Sequence, residues 1–250
     1  MRWLLLFILM AAPLRAETIV AGLSHASVAI TADFTGEEIL VYGAVRREAP
    51  IPGGAPLHVI VTVEGPSTPI IVRKKARRFG IWVNAETVRI DRAPSFYAIA
   101  ATAPLEGILS ETENLRHKIT IPRAIRSVGI AGAAADSPRF VEALIRIRVG
   151  EERYSILEGG VSLTEDTLFR TDIRLPANLT EGVYRVRLFL LRGGAVVDAQ
   201  ERTIPVQKAG FERWVFNLSR QQPLLYGLLS LVLAVVAGWG ASAAFRLLRP

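Results

Sequence analysis

The chain has 250 residues, with 30 lysines and arginines against 23 aspartates and glutamates, and half of it is hydrophobic. That length supports one or two domains, and the mean hydropathy of +0.32 is high for a soluble domain, with the excess concentrated at the two ends. Cysteine is absent, which excludes disulfides, thiolate metal sites and a lipid-modified N-terminal cysteine.

The formal net charge is +7. Four of those charges are terminal: Arg2 and Arg15 near the start, Arg246 and Arg249 near the end. Subtracting them from +7 leaves +3 for the stretch between. A pI near 10.2 therefore gives no argument for nucleic acid as a partner.

The N-terminus has the three parts of a secretory leader. Arg2 supplies the positive region, Trp3 to Ala12 is apolar, Pro13 breaks the run, and Leu14-Arg15-Ala16 offers a small residue for cleavage before Glu17. About ten apolar residues reach only about 15 Å as a helix, half of a hydrocarbon core, so a leader at 1–16 is expected rather than an anchor.

Alternation and turn chemistry dominate the middle. Glu38 to Val45 and Leu57 to Val63 are β-branched and aromatic runs of strand length, separated by the loop Ile51 to Pro56. Two short strands are expected at Thr68 to Val72 and Phe79 to Val83, with Arg73, Lys74, Lys75, Arg77 and Arg78 at the hairpin tip between them. Ser95 to Thr102 reads as a strand and Glu111 to Ile119 as a short helix. The character changes at Ile121-Pro122, where a domain boundary is expected. Asp136-Ser137-Pro138 reads as a helix start; Ile147 and Val149 beyond it fit either a continuing helix or a strand. Val183 to Arg192 and Ala195 to Val206 flank Gly193-Gly194, a hairpin signal. Gly182-Val183-Tyr184 has the form of a tyrosine corner, in which an early strand Tyr bonds back to the preceding loop. The expected fold is mainly β: two immunoglobulin-like sandwiches at 17–121 and 122–208, then a juxtamembrane segment at 209–222.

The C-terminal run differs from all of these. Pro223 to Phe245 carries no charge, and Leu224 to Ala244 would extend about 31 Å as a helix, matching a bilayer core. Aromatic residues near both ends and Arg246 and Arg249 just beyond suit the water–lipid boundary. A transmembrane helix at 223–245 is expected, with the domain outside and 246–250 as a cytoplasmic tail. Ser230, Ala234, Gly238 and Ser242 recur every four residues, a stripe of small side chains fit for close approach of another helix.

Candidate chemistry is sparse. His25, His58 and His117 are far apart in sequence with no metal-ligand spacing, and His58 is expected to be exposed. Ser24 and His25 are adjacent, and neighbours on a strand point apart, against the facing geometry that a nucleophile and its base need. The carboxylate pairs Glu37-Glu38, Glu151-Glu152 and Glu165-Asp166 read as solvated turns. No cofactor, metal or catalytic residue is expected. Arg73, Lys74, Lys75, Arg77 and Arg78 form the one local cluster that fits an anionic partner, such as lipid headgroups or an acidic protein face.

Several stretches together resemble a family of alphaproteobacterial single-pass membrane proteins of unknown function. They are Thr35 to Ala44 (TGEEILVYGA), Val72 to Lys75 (VRKK) with Phe79 to Asn84 (FGIWVN), Ala93 to Tyr97 (APSFY), Gly182 to Tyr184 (GVY), and Pro223 to Gly227 (PLLYG) with Gly238-Trp239 and Phe245-Arg246. The resemblance implies a bacterial inner-membrane protein with a periplasmic domain, frequently encoded beside a sulfite-exporter-like permease. It brings no catalytic residues. The reading is therefore a non-enzymatic accessory protein in the bilayer, partnered by a permease or by a second copy through its membrane helix. The alternatives are an extracytoplasmic enzyme with a dispersed site, or a ligand-binding module.

Overall fold

The computed structural model describes residues 17–31, 34–47, 54–126, 137–208, 215 and 218–248. The leader expected at 1–16 lies outside these residues. They fall into two compact units, one within Met1–Val28 and Phe34–Val206, the other within Ala29–Asp33 and Gln207–Pro250.

In chain order the strands begin with β1 (Glu17–Leu23), β2 (Val28–Ile30), β3 (Gly36–Arg47) and β4 (Leu57–Glu64). The long pair β5 (Ser67–Arg78) and β6 (Ile81–Pro94) follows, then β7 (Tyr97–Ala101). Three short helices, α1 (Leu105–Ile108), α2 (Glu111–His117) and α3 (Ile121–Ala124), precede the longer α4 (Ser137–Gly150). The chain returns to strands in β8 (Tyr154–Glu158), β9 (Ser162–Thr164), β10 (Leu168–Pro176), β11 (Gly182–Arg192) and β12 (Ala195–Lys208), and its last described element is the helix α5 (Pro223–Leu248). The mainly β expectation and the apolar C-terminal helix both hold.

The strands form one sheet in the order β1-β3-β10-β9, a second in the order β2-β12-β11-β4-β7-β8, and the separate pair β5-β6. This corrects the expected division at residue 121. β3 pairs over Gly36–Ala44 with β10 and β4 pairs with β11, so both main sheets join strands from either side of that position. Ile121-Pro122 is the start of α3, with Pro in the first turn, where its missing N–H costs nothing. Ile121 and Ile125 are buried there against the second sheet.

The middle strands of the second sheet are buried on both faces. On β4 and β11, Val59, Val61 and Val63 lie beside Leu190, Leu188 and Val186, all fully buried on one side. That side meets the first sheet, since β1 contacts β11 and β10 contacts β7. The first sheet contributes Ile39, Val41, Ile173 and Leu175, also fully buried. The intervening residues Ile60, Ile99, Phe189 and Leu191 point the other way and pack with Leu105, Ile121 and Leu144 from the helices and Ile119 from the link between α2 and α3. Three layers result: sheet, sheet, helices.

Several polar groups in these layers are satisfied locally. Arg187 on β11 reaches the end of α2, donating to the carbonyls of His117 at 2.7 Å and Lys118 at 3.2 Å, which would otherwise be orphaned helix-end acceptors. Its guanidinium also donates to the Tyr97 hydroxyl at 3.0 Å, and that hydroxyl donates to the Ile119 carbonyl at 2.8 Å. Burial pushes the Tyr97 phenol up to about 12. Glu17 is buried at the start of β1 and accepts from Arg47 at 2.8 Å and Arg192 at 2.8 Å, tying the first sheet to β11. Burial pushes its carboxyl up, but the bonds from Arg192 and Arg47 outweigh that and hold it below the usual range.

Tyr184, the corner residue, is buried, and its hydroxyl donates to the Thr180 carbonyl at 2.9 Å. The glycine hairpin is present as read, with φ of +59° at Gly193 and +81° at Gly194 between β11 and β12. The ambiguous stretch at 147–149 is helical, within α4.

Because β3 and β4 have partners in the second half of the chain, residues 17–121 expressed alone are expected to show no cooperative thermal unfolding, while 17–208 unfolds in a single transition. Calorimetry of the two fragments checks this; a cooperative transition for 17–121 would restore the boundary at 121.

Candidate functional site

The basic cluster lies on the β5–β6 hairpin, whose two ends differ in kind. At the base, Ile70 pairs with Ile90 and Val72 with Val88, and Ile90 and Ala93 are fully buried in the cluster under the helices. Beyond Val72 the packing stops. From 73 to 87 only Ala76 and Val83 are half-buried, and every other residue is exposed.

The expected tip is also corrected. The five cations do not form the turn; they continue β5, which runs to Arg78. Polar side chains give a strand no apolar alternation, so the pattern stopped short of the true end. The turn is Phe79-Gly80, with φ of +50° and +83°. Two positive φ values in a two-residue loop suit the right-handed twist of the strands. Gly80 adopts that geometry freely, whereas Phe79 carries a side chain in a region L residues rarely occupy. Phe79 is also fully exposed, at 105%, with Ile81 at 65% and Trp82 at 67%. In the ladder Trp82 stands opposite Arg77 and Ile81 opposite Arg78. The apolar residues thus occupy the end of the hairpin, with Arg77 and Arg78 beside Trp82 and Ile81 and the other three cations behind them. The sequence reading missed Phe79, Ile81 and Trp82 as part of this site, although the FGIW run adjoins the cations.

Five cations face one carboxylate, Glu86, so residues 73–87 carry net +4. Lys74 pairs with Glu86 at 3.0 Å, an exposed contact of small energetic weight, and Arg77 donates to the Gly80 carbonyl at 3.4 Å. Among the described residues Arg73, Lys75 and Arg78 form no ion pair. The positive surface extends onto α4. There a groove of about 490 Å³ has Val72, Phe140, Ala143 and Ile147 as its apolar lining, with Arg73, Lys74, Arg139 and Arg146 among the charged ones. Arg139 and Arg146 were not singled out from the sequence, because their spacing on a helix gives them no local neighbour on β5.

The histidines remain apart. His117 Nε2 lies 3.3 Å from Glu113. His58 is half-buried rather than exposed, with Nδ1 at 3.0 Å from the Thr102 hydroxyl; burial lowers its pKa. Among the described residues no group of three or more His, Cys, Asp or Glu could hold a metal. Glu151 of the carboxylate pairs accepts from Arg148 at 3.0 Å, and Glu165 and Asp166 form a turn with positive φ.

Ser24 and His25 depart from expectation. β1 ends at Leu23, and in the bend that follows the Ser24 hydroxyl meets His25 Nδ1 at 2.8 Å. His25 Nε2 lies 3.3 Å from Glu37. The Ser24 hydroxyl also accepts the Leu40 N–H at 3.1 Å, which pins the end of β1 to β3. Ser–His–carboxylate is the order of a hydrolytic triad. Here, however, Ser24 is exposed and the His25 side chain is 43% exposed, so the chain of bonds lacks the water exclusion that strengthens such groups.

In α5, Ser230, Ala234, Gly238 and Ser242 are all exposed. The Ser230 hydroxyl bonds back to the Tyr226 carbonyl at 2.9 Å, so it supports the helix rather than projecting a donor. A Cβ added at Gly238 would meet nothing within 4 Å. The window Pro223–Ser242 has a mean hydropathy of 2.0, with none of it buried.

A family model described as "Putative transmembrane protein (Alph_Pro_TM)" matches residues 18–247. The chain belongs to this family of transmembrane proteins. No curated protein matches it. Among solved structures it is similar to Spo0M, a sporulation control protein from Bacillus subtilis, at 11% identity and a TM-score of 0.29; the match covers 82% of this chain and 55% of that one.

The solvated Ser24 is expected to be unreactive. A fluorophosphonate probe should leave the full chain unlabelled; labelling that disappears in Ser24→Ala would make this family member a hydrolase.

Proposed function

We propose that this transmembrane protein is a non-enzymatic accessory module, anchored in a bacterial inner membrane with its β domain in the periplasm, and that it works by engaging a partner through the β5–β6 hairpin. The observation that carries the reading is the hairpin's division into a packed base and an unpacked end with net +4. A two-stranded ribbon is marginal in water without further packing, and nothing within residues 73–87 adds to the core. Their exposed cations and apolar side chains are suited to a surface outside the chain.

The rest of the unit serves as the frame for that contact. Its strand order supports one immunoglobulin-type sandwich in place of the two expected. β1-β3-β10-β9 corresponds to A-B-E-D and β12-β11-β4 to G-F-C, with Tyr184 early in the F strand. β5, β6 and the helices are then an insertion after strand C. The leader read at 1–16 supports the outward orientation, since long domains translocate largely regardless of charge. The family resemblance supports a permease as the partner in the membrane, and the stripe at 230–242 would be the face of α5 that meets it.

Changing Arg73, Lys74, Lys75, Arg77 and Arg78 to Ser is expected to leave the melting temperature nearly unchanged, because exposed pairs contribute little. It should remove the salt-sensitive fraction of whatever co-purifies in mild detergent. Identical co-purification by parent and variant would sink the hairpin as the contact.

For α5, Ala234→Leu with Gly238→Leu keeps hydrophobicity but holds a neighbouring helix away. Crosslinking from a single cysteine at Ser230, introduced into this cysteine-free chain, is expected to be lost in the double variant. Undiminished crosslinking would reduce α5 to an anchor.

A further inference from the structure

The end of the hairpin narrows the class of surface it meets. We infer that the β5–β6 tip inserts into the interfacial region of an anionic lipid bilayer, with Phe79, Ile81 and Trp82 entering the boundary and Arg73, Lys75 and Arg78 pairing with lipid phosphates. This rests on the reading of the hairpin as the contact element and assigns its partner.

Three observations favour lipid over an acidic protein face. The first is order along the ribbon. Phe79 stands at the turn ahead of every cation, Ile81 and Trp82 are exposed and level with Arg78 and Arg77, and Lys75, Lys74 and Arg73 follow behind on β5. A bilayer has the same order in depth, with hydrocarbon beneath a layer of phosphates. Trp and Phe favour the boundary between them, and long cationic side chains reach back to the headgroups. The second is that the apolar residues do not share one face. Trp82 shares one face of the ribbon with Arg77, and Ile81 shares the opposite face with Arg78, so both faces of the end pair an apolar side chain with a cation. A docking protein surface would cover one face; a fluid interface surrounds both. The third is Phe79. With φ of +50° and full exposure, it gains nothing from the backbone or from packing within the chain, whereas an apolar ring at the extreme end of a ribbon gains from leaving water. Net +4 over 73–87 supplies attraction to anionic headgroups that falls off within a Debye length. The membrane helix keeps a bilayer at high effective concentration, so a weak contact of this kind is enough.

Trp82 reports on this directly. With Trp3, Trp214 and Trp239 changed to Phe, it is the single tryptophan of the full chain. That chain is reconstituted in phosphatidylcholine vesicles with and without phosphatidylglycerol, each made also with acyl-brominated lipid. With phosphatidylglycerol, Trp82 emission is expected to shift to the blue and to be quenched several-fold more strongly by bromine than in phosphatidylcholine alone. Raising the salt should reverse the difference. Changing the five cations to Ser should abolish it, with an unaltered thermal transition showing that the variant is folded.

Emission characteristic of an indole in water, unquenched in every vesicle, overturns the lipid assignment. If the five cations still govern co-purification of a protein in that case, the hairpin remains the contact and only its partner changes. If they govern neither readout, both readings fail.

Discussion

The constraint on which the structure depends is that β4 and β11 carry apolar side chains on both faces. A strand with one apolar face can border a sandwich; a strand with two must lie in the middle of three layers. Val61 and Leu188 on one side require the first sheet, and Ile60 and Phe189 on the other require a second cover. The insertion between β4 and β8 meets that requirement. α1 places Leu105 and Ile108 on the sheet, Ile119 follows α2, α3 adds Ile121, and α4 adds Leu144. None of the first three is long enough to be stable alone; burial against the sheet maintains them. Arg187 belongs to the same arrangement. It extends from the sheet to terminate α2, so the carbonyls at that helix end are satisfied by the layer beneath.

The hairpin follows from the same geometry. Its base is recruited into the helical layer because Ile90 and Ala93 share a buried cluster with the helices and β6 contacts α4. Its strands then continue past the edge of that layer, and the register shift between Lys74 and Lys75 marks the transition, a bulge of the kind that increases twist and ends regular packing. On the core side of the bulge one face of the ribbon packs, through Ile70, Val72, Val88 and Ile90, while the other is exposed. On the far side, cations and aromatic rings take positions that would be unfavourable in any part of the core. One pair of strands thus has two environments, and the second is not supplied by residues 73–87 themselves.

The local elements were legible in the sequence wherever a period or a turn residue marked them. Gly193-Gly194, the Tyr184 corner, the α2 stretch and the apolar run at 223–245 all lie where the residues placed them, with α5 continuing to Leu248. What could not be read was pairing over long separations. β3 and β10 are more than a hundred residues apart, and neither carries a mark naming the other; the Pro at 122 looked like punctuation between domains when it was the first turn of a covering helix. The tip was misplaced for a related reason, since a strand made of lysines and arginines has no apolar alternation to follow. Ser24 and His25 were judged by strand geometry, which stops applying one residue earlier, at the end of β1. The stripe on α5 was legible as spacing, but Ser230 turns its hydroxyl onto its own helix, a choice the spacing does not reveal.

The charge of the chain is explained by this division. After the terminal arginines are set aside, the middle carries +3, while residues 73–87 alone carry +4. The rest of the middle is therefore close to neutral, and many of its charges are matched. Glu17 holds Arg47 and Arg192, and Glu64 holds Arg92 and Arg185. Both of those carboxylates are buried, where an unpaired charge would be costly. A pI near 10.2 is thus not a diffuse property of the domain. It comes from the chain ends and from the outer part of one ribbon, whose packed base carries only +1. Burial requires pairing of charge within the layers, and the surplus is tolerated only beyond them, where a cation is either solvated or met by a surface of opposite sign.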